Sequence, residues 1–291
     1  MRKQNFSKNS SGKSNKSSSG HGHKKAAYNG QQRARSQQQS SSQMSMSVSR
    51  SWRQITGTHA VKEVLHVRPG SVKQALVQRN LIATPEIKEV ISLLNEHGIR
   101  FEERSDVDLN KLCPSQQGVV LFSDYNPAFD YTVATWDDNS LVLALDGVED
   151  PHNLGAVMRT SWLMGVNGII IPQDRAVGLT ATVHKVACGG VEHVELARMN
   201  NFQEPFESLK EAGFWVYGLS HKAKKSIYEI EYPEKVVWVL GAEDKGLRVT
   251  TERLCDELVS IPQLAADASY NVSVATAIAL SETKRQWSQK K

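Results

Sequence analysis

From Leu141 onward, short apolar segments that each suit one strand alternate with segments that have helical spacing. The predicted strands cover residues 141–145, 168–171, 193–196, 214–219, 236–240 and 258–261, and the predicted helices cover residues 154–164, 180–187, 202–211, 250–255 and 272–288. A helix between two strands carries the chain back across the sheet, so the strands lie parallel and the helices cover both faces. The sequence therefore predicts an α/β fold built on a parallel sheet.

Three polar segments lie near the predicted carboxyl ends of strands, where open α/β sheets bind their ligands. The first runs from Asp146 to Arg159 and leads into a helix. In it, Asn153 occupies the position of a helix N-cap, where its side chain would accept a backbone N–H. Arg159 lies inside that helix among apolar residues, so its guanidinium either extends into solvent or is held for a purpose.

The second segment is Gly241-Ala-Glu243-Asp-Lys-Gly246-Leu247, directly after a predicted strand. Gly241 lets a ligand approach the backbone closely, and Glu243 at the strand tip can accept a hydrogen bond from a ligand hydroxyl. The third segment places Ser269 and Asn271 at the start of the last predicted helix, where backbone N–H groups bind anions. Singly, each segment is explained as well by a glycine turn or a capped helix.

In this order and at these spacings, the three segments resemble the motifs of the SpoU (TrmH-type) family of RNA ribose 2′-O-methyltransferases, in the SPOUT superfamily. The matching residues are Asn153-x-Gly155-x-x-x-Arg159, Gly241-x-Glu243-x-x-Gly246-Leu247, and Ile261-Pro262 through Ser269-x-Asn271-Val-Ser-Val-Ala. This resemblance covers residues 141–288. Residues 52–123, which contain Gln116-Gln117-Gly118-Val-Val near their end, are similar to the substrate-binding domain of the subgroup that methylates a guanosine in 23S ribosomal RNA.

The resemblance implies a sheet whose C-terminal part is tied in a trefoil knot, which forms the pocket for S-adenosylmethionine. The residues implied to hold this cofactor, largely through backbone groups, are Gly241, Ile261 and Tyr270. The residues on the family's catalytic positions are Asn153, Arg159, Glu243, Ser269 and Asn271. The family's sites are built across a homodimer, which would cover the apolar last helix.

A ribose hydroxyl is a poor nucleophile until its proton leaves. We expect Arg159 to lie closest to the 2′-hydroxyl, and Asn153 and Ser269 to fix the orientation of that hydroxyl. The resemblance implies that Arg159 is the base, although a guanidinium with a pKa above ~12 gives up its proton with difficulty. The alternative is that Arg159 acts through a substrate phosphate or stabilises the developing alkoxide. We expect Glu243 to be a positioning residue.

Two alternatives stay open at this point: a transfer-RNA target, and a ribosomal RNA-binding assembly factor that keeps the fold but no longer transfers a methyl group. All five polar residues on the catalytic positions are present, which argues against the inactive factor. Another kind of nucleotide-binding α/β enzyme finds no support, because the sequence has neither a GxGxxG nor a P-loop pattern.

The composition of residues 1–50 differs from that of the rest of the chain. They hold fourteen Ser, ten Lys or Arg and no Asp or Glu, whereas residues 51–291 hold 25 Lys or Arg against 31 Asp or Glu. So little apolar surface predicts a disordered basic tail, which either contributes to RNA binding or only keeps the protein soluble. After it we predict a substrate RNA-binding domain at 51–123, a linker at 124–140 and the knotted methyltransferase domain at 141–291.

The predicted RNA-binding domain is a small α/β unit. Apolar spacing predicts helices at 58–65, 85–97 and 109–112, and strands at 72–77, from Phe101 and at 118–122. In the first helix, the residues that share an apolar face are Ala60, Val61, Val64 and Leu65.

The sequence also excludes some classes of protein. Cys113, Cys188 and Cys255 lie far apart without a CxxC pair, which argues against a disulfide framework and a zinc site; we expect no metal. No apolar run approaches the ~20 residues of a membrane span, and the N-terminus lacks an apolar signal core. We therefore expect a cytoplasmic protein. The resemblance further implies that its partners are RNA, either 23S ribosomal RNA or a pre-ribosomal particle, and a second copy of the chain.

Overall fold

The computed structural model of the protein describes residue 49 and residues 51–114, 116–243, 245–265 and 268–290. The predicted tail, residues 1–50, lies outside the described residues except for Ser49. Two sheets organise the described chain, a four-stranded sheet followed by a six-stranded one.

The four-stranded sheet consists of β1 (Arg53–Thr56), β2 (Val72–Gln78), β3 (Phe101–Arg104) and β4 (Val119–Ser123), in the order β1-β4-β2-β3. Its helices are α1 (Thr58–Val67), α2 (Pro85–Glu96) and α3 (Asp106–Leu112). β4 is antiparallel to β1 and β2, while β2 and β3 are parallel. Every element predicted here is present. β1 was not predicted, because four residues that include Arg53 and Gln54 show no clear apolar alternation.

The helices α1 and α2 of this small unit pack by their apolar faces, and for α1 this is the face that the spacing predicts. α1 buries Ala60, Val61, Val64 and Leu65. α2 buries Ile87, Val90 and Leu94. Both helices therefore pack by an apolar stripe of helical period.

The six-stranded sheet consists of β5 (Ser140–Asp146), β6 (Gly168–Pro172), β7 (Glu195–Met199), β8 (Trp215–Leu219), β9 (Lys235–Gly241) and β10 (Glu257–Val259). Its order is β10-β8-β9-β5-β6-β7, and every neighbouring pair is parallel. The helices are α4 (Pro151–Leu163), α5 (Ala181–Ala187), α6 (Gln203–Glu211), α7 (Val249–Glu252) and α8 (Val272–Gln289). The predicted parallel α/β sheet is confirmed, and the trefoil knot stays a prediction.

The central strand β5 is buried on both faces. Leu141, Leu143 and Leu145 belong to one apolar cluster, which also holds side chains of α4, α5 and α8. Val142 and Ala144 belong to the other cluster, with side chains of α6. Because strand side chains alternate between faces, an unbroken apolar strand requires cover on both sides.

The segment predicted as a linker packs against the six-stranded sheet. Residues 124–139, all of them described, form no strand and only a single bridge between Ala128 and Leu196, and β5 begins at Ser140. Phe129 and Tyr131 are buried. The Phe129 ring occupies the space of an absent side chain at Gly168, where a Cβ would lie 2.5 Å from it.

A buried ion pair joins the small unit to the large one. Glu192, in the 3₁₀ turn Gly190–Glu192, lies with Oε1 2.8 Å from Nη1 of Arg53 on β1. Arg68 donates to the backbone carbonyl of Glu192, and its guanidinium lies 4.3 Å from the centre of the Tyr125 ring. The 3₁₀ turn also explains why β7 begins two residues later than predicted.

Within the described ranges, no helix has the length and apolar content that crossing a membrane requires. In the same ranges no three His, Cys, Asp or Glu side chains form a group that could hold a metal ion. Cys113, Cys188 and Cys255 are free thiols.

Candidate active site

The carboxyl ends of β5 and β9 lie side by side, with Asp146 paired in register with Gly241. The first polar segment follows β5 and the second follows β9. The third reaches the same place at Asn271, whose side chain contacts Asn153 of the first. The three segments singled out in the sequence thus meet at one edge of the sheet.

Asp150, not Asn153, caps helix α4. The Asp150 side chain accepts the backbone N–H of His152 at 2.9 Å, and Pro151 occupies the first helical position. The predicted cap at Asn153 is therefore wrong. Asp-Pro was the signal that could have located the cap, because proline suits the first position of a helix. Asn153 lies buried in the first turn, and its side chain bonds across the site instead.

The side chains of Asn153, Glu243 and Asn271 form a hydrogen-bonded network. Nδ2 of Asn153 donates to Oε1 of Glu243 at 3.0 Å. Nδ2 of Asn271 donates to Oδ1 of Asn153 at 2.9 Å and also to Oε1 of Glu243. One carboxylate oxygen thus receives two amide donors, and α4, the turn after β9 and the start of α8 are tied together.

The orientation of the Asn271 amide follows from its place at the start of α8. Its Oδ1 accepts the backbone N–H of Ser273 at 3.0 Å and the Ser273 hydroxyl at 2.6 Å. Because only the oxygen of an amide can accept, Nδ2 must face the other way, toward Asn153 and Glu243. Helix capping and the network therefore require the same side-chain orientation.

The turn after β9 closes on Gly241. A Cβ on Gly241 would lie 2.1 Å from the carbonyl carbon of Gly246 and 2.3 Å from the nitrogen of Leu247. Inside the turn, the N–H of Gly246 donates to the carbonyl of Ala242 at 2.8 Å. The missing side chain of Gly241 makes room for the chain's own backbone. The sequence analysis explained this glycine by the close approach of a ligand, and the structure corrects that reason.

A cavity of about 690 Å³ lies beyond the carboxyl ends of β8 and β9. The predicted site residues on its wall are Gly241, Glu243, Ile261, Ser269 and Tyr270. All three predicted cofactor residues therefore border one cavity, together with two predicted catalytic residues.

The lining of this larger cavity fits S-adenosylmethionine. The apolar surface comes from side chains that include Leu219, Leu240, Leu247 and Ile261. Glu243 and Glu252 also line it, as do Lys222 and Lys245, and the cofactor carries a sulfonium and an ammonium cation together with a carboxylate. The volume is in the range of small-molecule sites, about 300–1,000 Å³.

A smaller cavity of about 240 Å³ shares five lining residues with the larger one: Ala242, Glu243, Lys245, Gly246 and Val272. Its charged lining includes Glu149, Asp150, Arg175, Lys245 and Arg248. The backbone of Arg175 is left-handed, with φ of 58°, a conformation that is costly for such a residue and common at functional sites. Sequence reasoning missed these basic residues, because no local pattern distinguishes them from other surface cations.

Arg159 lies apart from the network. It follows Asn153 by six residues in α4, about 9 Å along the helix axis. Its side chain is exposed, with Nη1 3.5 Å from Sγ of Cys188. Ser269 is exposed on the wall of the larger cavity. A single chain therefore brings three of the five predicted catalytic residues into contact and leaves Arg159 outside.

Two families of known domains match the chain. Residues 140–281 match the SpoU rRNA Methylase family, and residues 54–126 match the family described as RNA 2'-O ribose methyltransferase substrate binding. The polar network and both cavities lie within the first of these matches.

Curated bacterial proteins are similar over most of the chain. Identity is 37% over 239 residues with the 23S rRNA (guanosine-2'-O-)-methyltransferase RlmB of Neisseria meningitidis serogroup B, covering 80% of this chain and 95% of that protein. It is 36% over 248 residues with the enzyme of the same name from Pseudomonas aeruginosa, covering 81% and 97%.

Solved structures share the fold. The SpoU methyltransferase AviRb from Streptomyces viridochromogenes, in complex with AdoMet, superposes with a TM-score of 0.70 at 18% identity over 81% of this chain and 91% of that one. An rRNA methyltransferase from Sinorhizobium meliloti superposes with a TM-score of 0.65 at 26% identity over 80% and 87%. The family-model matches and the curated relatives confirm the predicted family: the chain belongs to the SpoU rRNA methylase family.

Proposed function

We propose that the protein transfers a methyl group from S-adenosylmethionine to the ribose 2′-hydroxyl of a guanosine in 23S ribosomal RNA. The observation that carries the proposal is the Asn153–Glu243–Asn271 network, whose Glu243 borders both cavities. The larger cavity accepts the cofactor, and the smaller accepts the target nucleotide. A methyl donor and its acceptor would thus meet at the network, as a transfer between two bound molecules requires.

The curated relatives support this substrate. Both are named as methyltransferases of a 23S rRNA guanosine, and both match along nearly their whole length. Residues 54–126 match a substrate-binding family, which supports RNA recognition by the small unit. We place the reaction in the cytoplasm, on 23S ribosomal RNA or a pre-ribosomal particle. Transfer RNA is the second candidate substrate and an inactive assembly factor the second candidate function.

The cofactor supplies an already activated methyl group on its sulfonium. Gly241, Ile261 and Tyr270, on the wall of the larger cavity, would hold it. The remaining task of the chain is to orient the ribose and to assist the loss of the hydroxyl proton.

The network is suited to orienting the ribose. Both asparagine amides bind Oε1 of Glu243. No donor among the described residues binds its Oε2, which is therefore able to accept a ribose hydroxyl. Because two amides hold the carboxylate in place, Glu243 can fix the ribose without reorganising in the transition state.

We further propose that Arg159 acts across a homodimer. In one chain the guanidinium is exposed and lies outside the network. Leu163 of the same helix and Val274 of α8 are large apolar side chains that are also exposed. Packing of two copies through α4 and α8 would bury this surface and bring Arg159 of the partner subunit to the network. There a guanidinium would stabilise the developing alkoxide or bind a substrate phosphate.

The test is transfer of labelled methyl from S-adenosylmethionine to total RNA of a strain that lacks the protein, followed by mapping of the labelled nucleoside. We expect label in one 2′-O-methylated guanosine of 23S ribosomal RNA. Label in transfer RNA would overturn the substrate. Absence of label from every RNA, assembling ribosomal particles included, would overturn the enzyme.

Arg159→Ala should abolish transfer while the Kd of S-adenosylmethionine stays nearly unchanged. The matched control is Arg253→Ala, an exposed arginine that borders neither cavity. Turnover by Arg159→Ala at the rate of this control would contradict the role of Arg159. Sedimentation of the intact protein as a monomer at assay concentration would contradict the dimer.

A further inference from the structure

Asp146, the last residue of β5, is a buried acid beside the site. Its side chain is 0% exposed, and Oδ1 lies 2.5 Å from Nη2 of Arg248. Oδ2 accepts the backbone N–H of Arg248 at 3.1 Å. Oδ1 receives no hydrogen bond of good geometry within the described residues, so the guanidinium charge is its main compensation. Because a buried carboxylate is costly unless it is paired, this contact constrains Arg248 strongly.

This pair, which we call the Asp146–Arg248 clasp, closes the turn that carries Glu243. The turn leaves β9 at Gly241, whose missing side chain allows it to fold back onto Gly246. The clasp ties the other end of the turn to β5, the strand that pairs with β9. Both ends of the turn are thus fixed to adjacent strands, and Glu243 lies between them.

Glu243 depends on this fixation because its own side chain is exposed. The partners of its carboxylate, Asn153 and Asn271, belong to other elements and are held there by α4 and α8. If the turn moved, the carboxylate would leave both amides. A displacement of about 1 Å in a reacting geometry costs about 10²-fold in rate.

We propose that Asp146 is a positioning residue for methyl transfer, which acts through Arg248 to hold Glu243 against Asn153 and Asn271. The side chain of Asp146 is 0% exposed and its carboxylate contacts Arg248. Although Asp146 borders the smaller cavity together with Arg248, its effect therefore passes through Arg248 and the turn. The inference rests on the proposed function for its consequence in catalysis, whereas the clasp itself can be tested without substrate.

The first test is Asp146→Asn in the full chain, which keeps the shape of the side chain and removes its charge. We expect kcat for methyl transfer to fall about 10- to 100-fold while KM for RNA and the Kd of S-adenosylmethionine change by less than about threefold. Arg248→Lys, which keeps a cation, should retain more activity than Arg248→Met. Equal losses in kcat and in cofactor affinity would indicate general damage and overturn the proposal.

A double-mutant cycle separates positioning from general destabilisation. If Asp146 acts through Glu243, adding Asp146→Asn to Glu243→Gln should lower kcat little further, because coupled residues are not additive. If the fold-loss of kcat in the double variant equals the product of the fold-losses in the two single variants, the proposal is overturned.

Hydrogen exchange of residues 241–250, in protein without RNA, reports on the clasp directly. We expect faster exchange in Asp146→Asn and in Arg248→Met than in wild type or in the control Arg253→Met. Arg248 is 42% exposed, so its variant tests the clasp even if Asp146→Asn does not fold. Unchanged exchange in both would overturn the clasp. A wild-type enzyme that labels no RNA would instead refute the proposed function and with it the catalytic part of the inference.

Discussion

Glu192→Gln removes a buried negative charge that compensates two arginines, and we expect it to destabilise the protein substantially. The side chains of Arg53 and Glu192 are 3% and 1% exposed, so water cannot replace the lost charge at Arg53. Arg68 is 26% exposed and lies over the Tyr125 ring, so water and the ring compensate it in part. Breaking a buried pair costs about 3–5 kcal/mol, and because one arginine is partly compensated we expect the lower end, about 3 kcal/mol.

A loss of this size is a large part of the roughly 5–15 kcal/mol that stabilises a typical protein. In a chain of 150–250 ordered residues, each kcal/mol lowers Tm by about 2–4 °C, so we expect Tm to fall by about 6–12 °C. Thermal unfolding of the full chain, monitored by circular dichroism, measures the change in Tm. Urea denaturation of the full chain measures the change in the free energy of unfolding independently.

The matched control is Glu257→Gln, which breaks an ion pair of similar length, 2.8 Å, with Lys225 at side chains that are 29% and 46% exposed. Such exposed pairs contribute about 0–1 kcal/mol. Arg53→Met combined with Glu192→Leu should lose less stability than Glu192→Gln, since it leaves no unpaired charge at Arg53. A Glu192→Gln variant as stable as the control would refute the reasoning.

Three further changes test other parts of the structure. Gly241→Ala should abolish methyl transfer, because its Cβ would lie 2.1 Å from a backbone carbon of the turn. The control is Gly70→Ala, whose Cβ would meet nothing within 4 Å. Equal activities of the two variants in the transfer assay would contradict the packing argument. Burial lowers the pKa of His184 from 6.5 to about 3. Between these values the unfolded chain binds a proton that the folded chain does not, so stability should fall by about 1.4 kcal/mol per pH unit as the pH drops from 6.5 toward 3. His184→Leu should reduce this slope in urea titrations, and an unchanged slope would show that other groups cause it. Deleting residues 1–50, with ten Lys or Arg and no acid, should flatten the dependence of RNA affinity on salt; the same slope in filter binding would exclude a role of the tail.

Most helices and strands could be predicted because each carries its own periodic pattern. The buried face of α1 and the doubly buried strand β5 were both evident from apolar spacing alone. Elements without such a pattern were missed or shifted. β1 is held by its pairing with β4 and by the Arg53 contact with Glu192, neither of which is visible in four residues of sequence.

The candidate site was predicted as a set of residues rather than as a geometry. Motif order indicated Asn153, Glu243 and Asn271, and the structure brings them into one network. The reasons assigned to single residues were less accurate. Asn153 is not a helix cap, and Gly241 is a glycine because the turn folds back on it.

The local pattern of apolar and polar residues was enough to define the parallel sheet, the helices and the chemical groups available to a site, because strand and helix periodicity depends on near neighbours in the chain. The local pattern did not reveal which other side chain each polar side chain contacts. Asn153 and Asn271 are 118 residues apart, Asp146 and Arg248 are 102, and Arg53 and Glu192 are 139. Hydrogen bonds and ion pairs act over a few ångströms and depend on direction and burial, so only the folded chain, with its crossovers complete, assigns these partners.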